Sequence, residues 1–296
     1  MHGRLVAAHL DDAVNPSGAG RVDLTSTALW SDHCGWDDLA EQDTSFVNVR
    51  DALDLGTEWP RRWSARWRYA GDEVAAAVRD LMSMPVTGCQ PVRRFSWSRQ
   101  QRHRPGLQYL VSTGRLHGCE SMEEARLLLV LDFAASLVDV LPQPFRLRFS
   151  AEGEEREHIP DFLAYTRTGR WLIDVRPAAR IGERDRMAFA ASAEVALLHG
   201  WQYSVVAGWK PHVLTTVDTL SAQRRPLNDR LGLIDTLLDA ASGQPRAFAE
   251  LAETTVSAPM ARAYLLHLLW HRRLSMDLTT PLGDTTMVTS AEDEQR

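Results

Sequence analysis

The residues best suited to chemistry lie in a stretch that predicts a β-hairpin, residues 158–177, HIPDFLAYTRTGRWLIDVRP. Two apolar runs, residues 162–165 and 171–175, flank a Thr-Gly pair, which favours a turn. Asp161 begins the first run and Asp174 ends the second, so both carboxylates are expected at one end of neighbouring strands. Two such acids repel each other unless a cation lies between them, and Mg²⁺ prefers one or two carboxylates with phosphate oxygens and water. The hairpin therefore indicates a Mg²⁺ site, although acids at strand ends also serve solubility.

A third acid, Glu124, has two possible roles. Ser121 and Glu124 form the S-x-x-E pattern of a capping box at the start of an apolar helix. A cap of this kind stabilises a helix by about 1 kcal/mol and needs no chemistry. Alternatively, Glu124 points towards the hairpin and supplies another carboxylate. The spacing alone leaves both roles open.

Two stretches before this helix are rich in arginine and aromatic residues. Residues 92–106, VRRFSWSRQQRHRPG, suit contacts with DNA phosphates, and an exposed basic loop is an equal alternative. The candidate DNA-binding residues there are Arg93, Arg94, Arg99, Arg102 and Arg104. In residues 59–69, three tryptophans at spacings of four predict one face of a packed helix. Residues 71–84 predict a further amphipathic helix.

The elements around the hairpin predict a mixed α/β fold. From residue 121 the pattern gives a helix, a strand over residues 141–150, the two hairpin strands, a helix over residues 181–200 and a strand over residues 201–209. This α-β-β-β-α-β order favours a sheet covered by helices, and the crossover helix allows the last two strands to run parallel. From residue 224, three helices and a short hairpin predict a mostly helical, winged-helix-like domain that binds DNA or a partner protein.

Composition excludes several classes of protein. The chain has 296 residues with a net charge of −6, and no apolar run is long enough for a membrane span. Three widely spaced cysteines and no recognisable signal peptide favour the reduced cytoplasm, without a disulfide framework. Lys210 is the only lysine among 33 basic residues, so arginine stands where other proteins use lysine.

Several segments, taken in order, resemble a known family. They are FSWSRQQRHRPG, ESMEEARLLLVLDF, LPQPFRLRF, HIPDFLAYT, WLIDVRP and LLHLLWHRRL. Together they resemble the TnsA-like endonuclease subunits of heteromeric transposases, most of all the forms common in actinobacteria, over about residues 90–290. The resemblance implies a restriction-endonuclease-like nuclease core at residues 91–222, after an N-terminal extension at residues 1–90. It also implies a winged-helix-like domain at residues 223–290 and a tail at residues 291–296.

The family implies a function and a set of ligands. Its members nick double-stranded DNA at transposon ends with Mg²⁺, for which Mn²⁺ substitutes, together with a partner transposase and an ATPase regulator in the bacterial cytoplasm. The resemblance makes Glu124, Asp161 and Asp174 the metal-binding acids, and the backbone carbonyl of Val175 is expected as a further ligand. Gln143 also matches the family pattern, without a clear role.

One residue departs from the family pattern. Most relatives have a lysine two residues after the second acid, where this chain has Arg176. Arginine stays protonated and cannot act as a base, but it can bind a phosphate through two parallel N–H bonds. The leading hypothesis is therefore an endonuclease in which Arg176 binds the scissile phosphate. The alternatives are a catalytically impaired scaffold that binds DNA and partners, and a stand-alone defence nuclease.

Overall fold

The computed structural model describes residues 28–85, 87–93, 106–134 and 136–291. Within them, the α-helices are α1 (Trp36–Leu39), α2 (Trp59–Arg62), α3 (Met122–Phe133), α4 (Glu183–Leu198), α5 (Val213–Ser221), α6 (Leu233–Ala241), α7 (Phe248–Glu253) and α8 (Ala258–Trp270). The strands are β1 (Ala40–Gln42), β2 (Ser64–Tyr69), β3 (Asp72–Ala77), β4 (Cys89–Gln90), β5 (Gly106–Leu110), β6 (Arg115–Cys119), β7 (Leu137–Pro142), β8 (Arg146–Ala151), β9 (Glu154–His158), β10 (Phe162–Thr166), β11 (Gly169–Val175), β12 (Gln202–Trp209), β13 (Arg246–Ala247), β14 (Leu274–Met276) and β15 (Met287–Ser290). Short 3-10 helices cover Ser45–Ala52, Val78–Ser83 and Ala178–Arg180.

The predicted hairpin lies in a five-stranded mixed sheet with the order β1-β12-β11-β10-β7. β7, β10 and β11 are antiparallel neighbours, whereas β11 and β12 run parallel because α4 connects them. Successive residues of a strand face opposite sides. Ile173 of β11 packs in the cluster that contains α3, and Leu172 packs in the cluster that contains α4. Helices therefore cover both faces of the sheet, which confirms the predicted mixed α/β class.

The crossover helix predicted over residues 181–200 is α4. Its first turn is capped by Asp185, whose Oδ2 accepts a hydrogen bond of 2.9 Å from the backbone N–H of Gly182. At the other end, Gly200 has φ +65°, the left-handed conformation in which glycine commonly follows a helix. These two ends set the length of the crossover between β11 and β12.

A second sheet, in the order β3-β2-β8-β9 with β4 on β2, changes one prediction. The single strand predicted over residues 141–150 was wrong, because β7 ends at Pro142 and β8 begins at Arg146 in the other sheet. Between them, Gln143 has φ +47° and lies between two prolines, a combination that interrupts a strand. The hairpin of β8 and β9 is thus inserted between the first two strands of the predicted α-β-β-β-α-β order.

The helix predicted over residues 59–69 forms only in its first turn, α2, and the helix predicted over residues 71–84 was wrong, because β2 and β3 occupy Ser64–Tyr69 and Asp72–Ala77. Trp63, Ala65 and Trp67 are buried in and beside β2. A spacing of four fits one face of a helix, but it also fits alternate positions of a strand, and the tryptophans alone could not decide. β3 follows through a two-residue turn at Ala70 and Gly71, both with positive φ, as tight hairpins require.

The C-terminal part contains the three predicted helices and the short hairpin. α6, α7 and α8 precede β14 and β15, which pair antiparallel, and β13 adds a third strand. α5 was not predicted. Phe133 of α3 packs against Trp270 of α8 with ring centroids 5.5 Å apart, and the core of these helices is continuous with that of the central sheet. The domain boundary at residue 223 stays a prediction.

Two class-level expectations can be compared directly with the structure. Cys34, Cys89 and Cys119 are all free, as expected without a disulfide framework. Among the helices of the described residues, none has the length and apolar character needed to cross a membrane.

Candidate active site

Asp161 and Asp174 lie opposite each other at one end of the hairpin. β10 and β11 pair with Phe162 opposite Ile173, so the register continues to Asp161 opposite Asp174. Asp161 Oδ2 accepts a hydrogen bond of 2.7 Å from the backbone N–H of Val175. The structure therefore places the two acids together, as the hairpin predicted. Their role as metal ligands, and that of the Val175 carbonyl, stays a prediction.

Burial and like charge make Asp161 difficult to ionise. Burial raises its pKa well above the ordinary value for an aspartate, and the charges of Asp174 and Glu124 raise the pKa further. The hydrogen bond from Val175 opposes these effects. A cation beside Asp161 would relieve the repulsion, so this end of the sheet has the electrostatics of a cation site.

Asp174 is held by two side chains that the sequence analysis did not assign to the site. Its carboxylate is 1% exposed. Oδ1 lies 2.8 Å from His158 Nε2, and Oδ2 accepts a hydrogen bond of 2.7 Å from the hydroxyl of Tyr203. Burial, followed by the charge of Asp174, raises the pKa of Tyr203 well above its usual value, so the phenol remains a donor. Asp174 is thus fixed in one orientation.

Glu124 is a helix cap and also acts on the acidic pair. Ser121 Oγ accepts a hydrogen bond of 3.1 Å from the Glu124 N–H, and Glu124 Oε2 accepts one of 2.7 Å from the Glu120 N–H. The cap by Ser121 is therefore confirmed, whereas the Glu124 side chain accepts from the Glu120 N–H and the Ser121 hydroxyl rather than from the Ser121 N–H. Burial raises the pKa of Glu124, and the hydrogen bonds from Glu120 and Ser121 lower it. The charge of Glu124 also raises the pKa of Asp161, so Glu124 lies close enough to act on the acidic pair. The role of Glu124 as a metal ligand stays a prediction.

Arg176 lies along the connection between β11 and α4. Its Nη2 is 3.6 Å from Asp185 Oδ2, and its Nε donates a hydrogen bond of 3.4 Å to the carbonyl of Arg180. The side chain is exposed. The charge of Lys210, the only lysine, acts on Asp37 of α1, where it partly opposes the rise in pKa caused by burial.

The predicted DNA-binding stretch is only partly within the described residues. Arg93 forms an ion pair with Glu120, with Nη1 3.5 Å from Oε2, and its charge lowers the pKa of Glu124. The beginning of the stretch therefore lies beside the first turn of α3. Arg94, Arg99, Arg102 and Arg104 lie outside the described residues, so their role stays a prediction.

The donor atoms near Asp161 fit Mg²⁺, although the acids do not form a complete cage. In the part of the chain that the structure describes, no three His, Cys, Asp or Glu side chains are arranged to hold a metal ion. Mg²⁺ commonly takes one or two carboxylates and leaves its other positions to substrate and water. The backbone N–H of Gln143 donates to the Asp161 carbonyl at 2.7 Å, and Gln143 Oε1 is buried without a partner among the described residues. An amide oxygen without a partner is a ligand type that a hard cation takes.

A small cavity opens at the same end of the sheet. It has a volume of about 250 Å³, and its lining includes Glu123, Val175, Pro177 and Trp209. Val175 is the residue whose N–H binds Asp161, and Glu123 precedes Glu124. The acidic cluster, which consists of Glu124, Asp161 and Asp174, does not itself line this cavity.

Comparisons with known proteins leave the chain without a family assignment. No protein-family model matches it, and no curated protein matches it. The fold and the site define the chain as a mixed α/β protein with an acidic cluster at the end of a buried β-hairpin.

Proposed function

We propose that the protein is a Mg²⁺-dependent DNA endonuclease that nicks transposon ends together with a partner transposase, as TnsA-like subunits do. One observation carries the proposal: Asp161 lies opposite Asp174 in a buried hairpin, and Glu124 adds its charge to the pair. Repulsion between buried carboxylates destabilises a fold, and clusters of this kind are found mainly at functional sites, where the charges serve binding or catalysis.

The order of the elements supports a restriction-endonuclease-like core. When the inserted hairpin of β8 and β9 is left aside, the elements α3, β7, β10, β11, α4 and β12 follow the α-β-β-β-α-β order. The three helices and small sheet after residue 223 support a winged-helix-like domain for contact with the partner or the DNA.

The residues of the site would hold the metal and orient its ligands. Asp161 and Asp174 would bind Mg²⁺ or Mn²⁺, with Glu124 and the Val175 carbonyl as further ligands. The bound ion supplies Lewis acidity, which lowers the pKa of water and offsets charge on the phosphate. His158 and Tyr203 hold Asp174 in place, as residues behind metal ligands commonly do. The guanidinium of Arg176 would bind phosphate, as arginine side chains commonly do.

A second candidate function is an inert scaffold that bridges DNA ends and the transposase. The observation that favours it is the ion pair of Arg176 with Asp185, which holds the guanidinium at the start of α4. In this reading the acidic cluster binds no metal. Stabilisation by Mn²⁺ separates the two functions, because only the nuclease gains stability from the ion.

The decisive experiment compares Asp161→Ala with the wild type in nicking of a supercoiled plasmid that carries transposon ends. The assay contains the partner transposase and Mg²⁺, and Asp218→Ala, at an exposed residue of α5, is the control. We expect Asp161→Ala to abolish nicking and Asp218→Ala to retain it. Nicking that persists in Asp161→Ala would refute the nuclease. A wild type that neither nicks nor gains stability from Mn²⁺ is the scaffold.

A further inference from the structure

We propose that the connection between β11 and α4, residues 176–184, binds the phosphate backbone of DNA through Arg180 and Arg184. This inference rests on the proposed function, because it takes DNA as the ligand. It adds residues that lie outside the stretch 92–106 in the sequence.

The connection follows directly from the end of β11 that carries Asp174. Arg176 follows Asp174 by two residues, and its Nε reaches the carbonyl of Arg180 at 3.4 Å. The 3-10 helix Ala178–Arg180 keeps this connection compact. Arg184 lies in the first turn of α4, next to Asp185, which accepts the capping hydrogen bond from Gly182. Arg180 and Arg184 therefore both lie in the connection that begins two residues after Asp174.

Arg180 and Arg184 are exposed and lack acidic partners. Several exposed arginines of the described residues form ion pairs, for example Arg66 with Glu73 and Arg148 with Glu157. By contrast, the guanidinium groups of Arg180 and Arg184 form no hydrogen bond or ion pair within the described ranges.

The acids nearest in sequence do not neutralise these two arginines. Asp185 binds the Gly182 N–H and Arg176, and Glu183 is exposed and pairs with neither arginine. Two positive charges without acidic partners therefore lie in the connection that follows Asp174, in a chain with a net charge of −6.

The chemistry of the acidic cluster explains why positive charge is needed there. Three carboxylates repel the phosphate backbone of DNA, so a strand approaches them only if cations close by offset the repulsion. Guanidinium groups suit this role, because their N–H groups match two phosphate oxygens. Two arginines next to the β11 end can bind the phosphates on either side of the scissile bond.

The test is the salt dependence of binding to a fluorescent DNA duplex, measured by anisotropy in Ca²⁺ without Mg²⁺. A plot of log K against log salt has a negative slope, and each lost phosphate contact reduces the magnitude of that slope by about 0.9. The double variant Arg180→Ala with Arg184→Ala should therefore reduce the magnitude by about 1.8. The lysine pair, Arg180→Lys with Arg184→Lys, should keep the slope. The control, Arg146→Ala with Arg148→Ala, changes the net charge equally and should bind as the wild type does.

The outcomes separate this surface from the proposed function. An unchanged slope in the Arg180 and Arg184 double variant, or an equal fall in the control, overturns the surface. The proposed DNA surface is also overturned if binding of the wild type to DNA does not depend on salt. If the double variant keeps the slope but no longer binds the transposase, the two arginines bind an acidic protein partner instead of DNA. If Asp161→Ala still nicks DNA while the slope falls by about 1.8, the proposed catalysis fails and the DNA surface stands.

Discussion

Asp161→Asn should stabilise the metal-free protein at neutral pH. The asparagine amide oxygen can keep the hydrogen bond from the Val175 N–H, while the buried charge beside Asp174 and Glu124 is removed. Substitutions that relieve a strained functional site commonly add about 0.5–2 kcal/mol to the free energy of unfolding. For a chain of this size, each kcal/mol raises Tm by about 2–4 °C.

The stabilisation should depend on pH with a definite sign. Because the pKa of Asp161 is raised in the folded state, the folded protein binds this proton more tightly than the unfolded chain does. Wild-type stability is therefore favoured below the unfolded pKa of about 3.9 and is lost as the pH rises through the folded value. Asparagine does not titrate. The advantage of Asp161→Asn should thus grow from about pH 4 upwards and then level off above the folded pKa.

The assay is thermal unfolding of the wild type and Asp161→Asn from pH 4 to pH 8 in EDTA, with Asp218→Asn as an exposed control on α5. A parallel series contains Mg²⁺ or Mn²⁺, which should raise the Tm of the wild type and leave that of Asp161→Asn unchanged. The reasoning is refuted if Asp161→Asn is no more stable than the wild type at pH 7, or if the difference does not vary with pH.

Three further substitutions test the supports of the acidic cluster. Tyr203→Phe removes a donor from buried Asp174 and should lower the free energy of unfolding by about 1–3 kcal/mol in urea titrations; an unchanged midpoint would contradict the role of the hydroxyl. Ser121→Ala should cost about 1 kcal/mol through loss of the cap on α3, measured in the same way, and equal stability would argue against the capping box. In the plasmid assay, Arg176→Met should reduce nicking roughly 10²–10³-fold, the usual effect of losing one donor to a charged transition state, whereas Arg176→Lys should retain it; a Met variant as active as the wild type would remove Arg176 from phosphate binding.

The position of the two aspartates could be predicted from sequence because a hairpin has little freedom. A turn near Thr168 and Gly169 sets the register, and the register puts Asp161 opposite Asp174. The cap at Ser121 was likewise predicted from a local pattern, S-x-x-E, over Ser121 to Glu124. Such features depend on residues close in sequence, so their geometry follows from the pattern.

The partners of Asp174 could not be predicted, because they depend on pairings over long distances. Tyr203 reaches Asp174 only because β12 runs parallel to β11 in one register, and its sequence reads simply as part of an apolar strand. His158 ends β9, a strand of the second sheet that the sequence analysis did not separate from the first. The helix predicted from the tryptophans around Trp63 was wrong for another reason, because their spacing fits a helix and a strand equally.

The helix α3 connects the acidic cluster with the C-terminal helices. Its first turn holds Glu124 beside the hairpin, and its last residue, Phe133, is wedged against Trp270 of α8. Twelve helical residues span about 18 Å, so α3 connects two regions of the protein that are that far apart. A protein that binds the C-terminal helices would therefore contact the region that packs against the end of α3, whose first turn carries Glu124. Deletion of those helices would remove the packing of Trp270 against Phe133.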